Sequence, residues 1–210
     1  MSTTHTEQTV IVTGRATGLG YAIAEQCLQR GANVLLNGRT EAKLVEATER
    51  LGHPDHLAIV VGDITQPATA DHIVNAAVEH FTRLDVLVNN AGIFHIKPFT
   101  DYTVEELDGF LGYQRGTFVF SQAAVRQIRR QGDGGVMINI STILALNGVA
   151  GLPSSAPIAA KGGITALTKN LAIELATDNI RINAVAPGVV PTPLYGELSD
   201  EQLKALHNTT

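Results

Sequence analysis

The sequence predicts a single α/β domain built on a parallel sheet with helices on both faces. Three observations support this. Short, nearly continuous apolar runs rich in β-branched residues alternate with longer segments of helical period, the pattern of strands buried on both faces and joined by crossover helices. The 210 residues suit one domain, so residues 1–210 are read as a unit, and no linker or low-complexity stretch divides them. Hydrophobic residues make up 44% and charged residues 17%, enough apolar material for a core and too little charge for a disordered chain.

The elements follow in order. Gln8–Thr13 (QTVIVT) is the first strand, and Leu19–Arg30 has helical spacing that Gly31 stops. Asn33–Leu36 is a strand, Thr40 caps a helix to about Leu51, and Leu57–Val61 is a third strand. A helix over about Ala68–Phe81 leads to a strand at Asp85–Val88, followed by two helical stretches, Thr103–Leu111 and Tyr113–Gln131. Val136–Ile140 is a strand, Ala156–Ala176 a long helix and Ile180–Val185 a sixth strand. A Pro-rich loop and one short helix, Asp200–His207, complete the chain.

Composition excludes several functions. With 15 Lys and Arg against 20 Asp and Glu and no basic run, the chain is a poor nucleic-acid binder. A lone Cys27 excludes an internal disulfide and a cysteine zinc site, and the scattered histidines show no metal spacing. The polar N-terminus does not read as a secretory signal, and no apolar run nears the ~18 residues of a membrane span. The expected location is the cytoplasm.

Chemistry enters at Thr13-Gly14-Arg15-Ala16-Thr17-Gly18-Leu19-Gly20, between the first strand and the first helix. Glycines there let the backbone turn sharply and approach a pyrophosphate, which the helix N-terminus holds. After the second strand, Asn37-Gly38-Arg39-Thr40 offers no acid for a ribose 2′-hydroxyl and one guanidinium for a 2′-phosphate, which favours NADP(H) over NAD(H).

These motifs, with Asn89-Asn90-Ala91-Gly92, Asn139-Ile140-Ser141-Thr142, Lys161-Gly162-Gly163 and Ile180–Gly188, resemble in order those of the short-chain dehydrogenase/reductase family. The resemblance covers nearly the whole chain and implies a doubly wound Rossmann domain. It implies that Gly14, Gly18, Leu19 and Gly20 cradle the pyrophosphate, that Asp63 and Ile64 contact the adenine, and that Asn90 and Gly92 lie along the nicotinamide ribose. Lys161 would bond the ribose hydroxyls, and Pro187, Gly188, Val190 and Thr192 would fix the carboxamide. Family habit also implies a homo-oligomer formed through the two longest helices, acting on a small carbonyl or alcohol.

The sequence departs from the family at the chemical step. The proton-donating Tyr of Y-x-x-x-K is Pro157 here. Proline suits the first turn of a helix, with Ser154 and Ser155 available to cap it, so the change spares the fold while removing an acid typically worth 10²–10⁴-fold. The substrate-orienting Ser is Thr142, which keeps a hydroxyl. The family's active-site Asn falls on Tyr113 when aligned back from Gly116-Thr117-Phe118 and on Gln114 when counted forward from Leu107; a one-residue deletion, turning the helix by about 100°, reconciles the two. The expectation is an NADP(H)-binding protein with impaired or absent redox activity. Two alternatives are an active carbonyl reductase with Tyr113 as substitute acid, and a nucleotide-sensing subunit. His95, Leu194 and Tyr195 are candidates for the substrate entrance and loop. Relatives usually continue with another helix and a final strand, so a natural short form and a fragment are both open, and the sixth strand is expected at an edge.

Overall fold

The computed structural model describes residues 7–14, 16–188, 190 and 192; the expected helix Asp200–His207 and the candidates Leu194 and Tyr195 lie outside them. Six strands form one sheet: β1 (Thr9–Val12), β2 (Asn33–Gly38), β3 (Leu57–Val61), β4 (Val86–Asn89), β5 (Gly135–Ile140) and β6 (Ile180–Val185). All pairings are parallel, in the order β3-β2-β1-β4-β5-β6. The crossover helices are α1 (Gly18–Gln29), α2 (Glu41–Arg50), α3 (Pro67–Phe81), α4 (Val104–Gln131) and α5 (Ser155–Glu174).

The apolar runs are continuous because the sheet has two dry faces, and each strand divides its residues between them. Ile11 stands beside Leu35 and Leu87 in register, and these three pack with Met137 against α3, α4 and the end of α5. Their neighbours Val10, Val12, Val34, Leu36 and Val88 face the other way, toward α1 and α2. A buried polar ladder crosses the first layer: the Asn89 amide donates to Asn139 Oδ1 (2.8 Å) and to Ser121 on α4 (3.2 Å), while Asn139 donates to Thr168 on α5 (2.8 Å). It ties the ends of β4 and β5 to both long helices with directional bonds that apolar packing lacks.

One element differs from the sequence expectation. The two stretches Thr103–Leu111 and Tyr113–Gln131 are a single 28-residue helix, α4. It opens with a capping box, Glu106 N–H to Thr103 Oγ1 (3.2 Å) and Thr103 N–H to Glu106 Oε2 (3.0 Å), and ends at Gly132 in the left-handed region. Its glycines do not break it, and one of them marks a close approach: a Cβ at Gly116 would lie 2.5 Å from the Ile64 carbonyl oxygen. Two expected caps also differ. Thr40 and Ser154 occupy N-cap positions without side-chain capping bonds, and the Ser154 hydroxyl donates instead to the Leu152 carbonyl.

Among the described residues, no helix is long and apolar enough to cross a membrane. The contact of Gly116 with the Ile64 backbone makes a test of the packing. Gly116→Ala should lower unfolding stability by about 1–3 kcal/mol, as overpacking against backbone does, read as a reduced denaturant midpoint with unchanged slope.

Candidate active site

The site begins where the sheet's connections part. From β1 the chain turns toward α1 on one face; from β4 it leaves toward α4 on the other, and a crevice opens at their carboxyl ends. Thr13 pins its two lips together. Its N–H donates to the Val88 carbonyl (3.0 Å), its hydroxyl oxygen accepts from the Asn90 and Ala91 amides (3.2 and 3.3 Å), and its own carbonyl accepts from the Asn90 side chain (3.0 Å). Next to it Gly14 has φ +112°, and a Cβ there would lie 2.8 Å from Ala91 Cα. Only glycine permits that conformation and that approach.

The first turn of α1 faces the crevice. Thr17 at its N-cap makes no side-chain capping bond, and the turn contains no acidic residue. Its N–H groups therefore stand open to an anion, with the helix dipole behind them. This arrangement fits a dinucleotide pyrophosphate.

Two pockets extend the crevice on either side of Gly92, which lines both. The larger, about 960 Å³ with its open mouth, is lined by Gly18, Leu19 and Gly20 of α1, by Asn90, and by Thr142 and Lys161. Pro187, Gly188, Val190 and Thr192 close its far side, and Pro157 faces it from α5. Ile93, Phe94 and Ile158 complete an apolar wall that the sequence reading did not single out, although the first two directly follow Asn90-Ala91-Gly92.

Lys161 reaches in from α5, and its Nζ donates to the carbonyl of Ile140 at the end of β5 (2.5 Å). Burial disfavours its charged form and lowers the amine pKa from 10.5 to about 8. Thr142 accepts a hydrogen bond from the Leu144 amide (3.3 Å), which leaves the hydroxyl proton for a ligand. Pro157 is buried as the third residue of α5, where an amide has no partner within the helix, so proline forfeits no bond.

The smaller pocket is lined by Gly14, Arg39, Asp63 and Ile64, with Thr40 and Lys43 from the start of α2. Arg39 Nη1 lies 3.9 Å from Asp63 Oδ2, and both side chains are partly exposed. Asp63 Oδ1 also accepts from the Thr65 amide (2.9 Å), which fixes the turn after β3. Asn37 donates to the Val60 and Gly62 carbonyls (3.1 and 3.0 Å) and keeps a buried Oδ1 without a partner among the described residues. Lys43 and Asn37 are additions to the sequence reading. Lys43 stands one helical turn after Arg39, a spacing that could have revealed it.

Tyr113 requires a correction. It lines the Arg39 pocket, with the guanidinium carbon 6.0 Å from its ring centre, and it does not line the pocket of Thr142 and Lys161. The next residue, Gln114, lies hard against Gly163 on α5, so close that a Cβ at 163 would collide with its side chain. Successive helical residues diverge by about 100°, and α4 aims Tyr113 at the nucleotide end and Gln114 at α5. His95 is packed against the rings of Phe110 (4.7 Å) and Tyr102 (6.0 Å) and does not line the cleft. Among the described residues, no group of three or more His, Cys, Asp or Glu is placed to hold a metal.

Fold and crevice together define a doubly wound α/β domain of the dinucleotide-binding class. The description "short chain dehydrogenase" belongs to the family model that matches residues 8–203, and the chain is a member of that oxidoreductase family, whose proteins bind NAD(P)(H). It is 36% identical over 205 residues to a 3alpha-hydroxysteroid dehydrogenase of Mediterraneibacter gnavus, covering 93% of this chain and 79% of that protein. Among solved structures, a short-chain type dehydrogenase/reductase from Mycobacterium marinum superposes with a TM-score of 0.88 at 27% identity, over 91% of this chain and 76% of that one. A 3-ketoacyl-(acyl-carrier-protein) reductase from Brucella melitensis, complexed with NADH, gives 0.84 at 30% identity, over 91% and 79%.

The lowered Lys161 pKa has a signed consequence for stability. Between about pH 8 and the ordinary lysine value near 10.4, the unfolded chain holds a proton that the folded chain has released, so stability rises with pH across that window. Below pH 8 the amine is charged in both states and the full cost of burying it remains. The stability of the protein relative to Lys161→Met should therefore rise by roughly 3 kcal/mol from pH 7 to pH 10.5, measured by paired urea titrations.

Proposed function

We propose that the chain binds NADP(H) in preference to NAD(H) and carries out carbonyl or alcohol redox chemistry poorly or not at all. One observation carries this reading. Pro157 faces the cleft one turn ahead of Lys161, where the family resemblance calls for a proton-donating Tyr, and Lys161 is the sole ionisable side chain among the described residues lining that pocket. When bound, the dinucleotide supplies or accepts a hydride at its nicotinamide.

The residues divide the binding among them. Gly14, Gly18, Leu19 and Gly20 and the open amides of α1 hold the pyrophosphate. Asp63 and Ile64 contact the adenine, Asn90 and Lys161 the nicotinamide ribose, and Pro187, Gly188, Val190 and Thr192 the carboxamide. Arg39 and Lys43 stand on one pocket with no carboxylate at the end of β2, a cationic pair suited to a 2′-phosphate. Thr142 orients a carbonyl oxygen but is too weak an acid to supply its proton. Tyr113, in the other pocket, does not serve as the substitute acid, and residual turnover falls to water held by Thr142 and Lys161. A protein that grips the nucleotide and turns over little is suited to sensing its state.

Self-association fits the outer faces of α4 and α5, where Phe118, Val125, Leu167 and Leu171 line a shallow groove and Phe118 is 45% exposed.

Two measurements test the reading. NADPH should bind more tightly than NADH, and Arg39→Ala should weaken NADPH by about tenfold or more, an ion pair's worth, with little change for NADH; equal affinities for the two cofactors would refute the preference. Against a panel of ketones and aldehydes the unaltered protein should turn over slowly, and Pro157→Tyr should raise the rate by about 10²-fold or more. Rapid reduction by the unaltered protein would overturn the proposal.

A further inference from the structure

We propose that Lys161 is a carbonyl-capturing amine, which forms an imine with apolar aldehydes that enter the cleft beside Pro157. The larger pocket combines three features that such a reaction requires. First, Lys161 lines the cleft and its amine has no acidic partner: its Nζ bonds to a backbone carbonyl, no carboxylate among the described residues pairs with it, and no other ionisable side chain among them lines the pocket. Second, the residue beside it is a glycine, Gly92, which places no side chain between the amine and the cleft. Even a Cβ there would lie at an ordinary 3.5 Å from Nζ. Third, the walls select the substrate: Ile93, Phe94, Pro157 and Ile158 are apolar, and they suit an alkyl chain rather than a charged one.

Burial contributes the reactivity. An amine held to about 8 is about half free base at pH 8, whereas an ordinary lysine is less than about 1% free base there. A phenol at position 157 would give the amine a polar neighbour; the proline ring gives it none.

The step balances without another reagent. The Nζ lone pair adds to the aldehyde carbon, and the carbonyl π electrons move to oxygen, which Thr142 is placed to meet with its hydroxyl proton. The nitrogen gives up its two protons in turn through water, the oxygen takes up two and leaves as water, and a C=N bond remains, so that amine and aldehyde become imine and water. No oxidation or reduction occurs. The inference rests on the proposed cofactor site in one respect: a dinucleotide bonded to Lys161 through its ribose would occupy the amine, so capture belongs to the nucleotide-free protein.

Butanal with sodium cyanoborohydride, which reduces the imine to a stable secondary amine, tests this on the full chain by peptide mapping from pH 6 to 10. At pH 8 Lys161 should be alkylated at least tenfold faster than the exposed Lys169 on the same helix. The ratio of Lys161 to Lys169 labelling in the same sample should fall above about pH 8, where the free-base fraction of Lys161 saturates and that of Lys169 still grows. Excess NADPH should suppress labelling at Lys161 alone. Modification of Lys161 no faster than Lys169 at any pH would overturn the proposal. Fast labelling that NADPH does not suppress would uphold the amine and remove the cofactor reading instead.

Discussion

The structure depends on the parting of two connections at the centre of a parallel sheet. Because β1 and β4 are neighbours while their following helices lie on opposite faces, a crevice must open at their carboxyl ends. Thr13 keeps that crevice narrow at its base. It bonds to Val88, Asn90 and Ala91 at once, and so the glycine turn and the Asn90 loop form one surface rather than two independent loops. The residues lining the crevice are placed relative to this junction: α1 presents its first turn, uncapped by the Thr17 side chain, on one side, and Gly92 lines both ends of the crevice.

Burial and hydrogen bonding then assign different characters to those ends. The Arg39 end is polar and partly open, with cations, one carboxylate and an unpartnered amide oxygen on Asn37. The Lys161 end is walled by aliphatic and aromatic groups around a single amine. The Asn89–Asn139–Thr168 ladder beneath it holds β4, β5 and α5 in register, and this fixes the distance between the strand end carrying Thr142 and the helix carrying Lys161. A packing interaction deep in the core thus sets geometry at the surface.

Much of this was legible in the sequence because the signals were local and repeated. Strand runs such as Thr9–Val12 and Leu57–Val61 are bounded by polar turns, and the ordered motifs identified the crevice residues without any knowledge of distances. What escaped was three-dimensional. Gly112 separates the two stretches expected for α4, since glycine weakens helices, but the helix runs through it, and Gly116 is the glycine that admits a close approach, to the Ile64 carbonyl. Tyr113 and Gln114 are adjacent in sequence, and only the helix frame shows that the first lines the Arg39 pocket while the second packs against Gly163 of α5. Lys43 went unremarked in the sequence, and α2 places it on the pocket that Arg39 also lines. The unfilled caps at Thr40 and Ser154 show the limit of residue type as a signal: a hydroxyl in the right place can find another partner.

The position of Pro157 has a consequence for how such a protein can change over generations. In the first turn of a helix the backbone ladder makes no demand on the residue, so the residue there can change without costing α5 a hydrogen bond. A single codon can therefore alter what the cleft presents while the backbone bonds of α5 stay in place. Descendants can then vary the chemistry of the cleft without first losing, and later having to rebuild, the architecture that surrounds it.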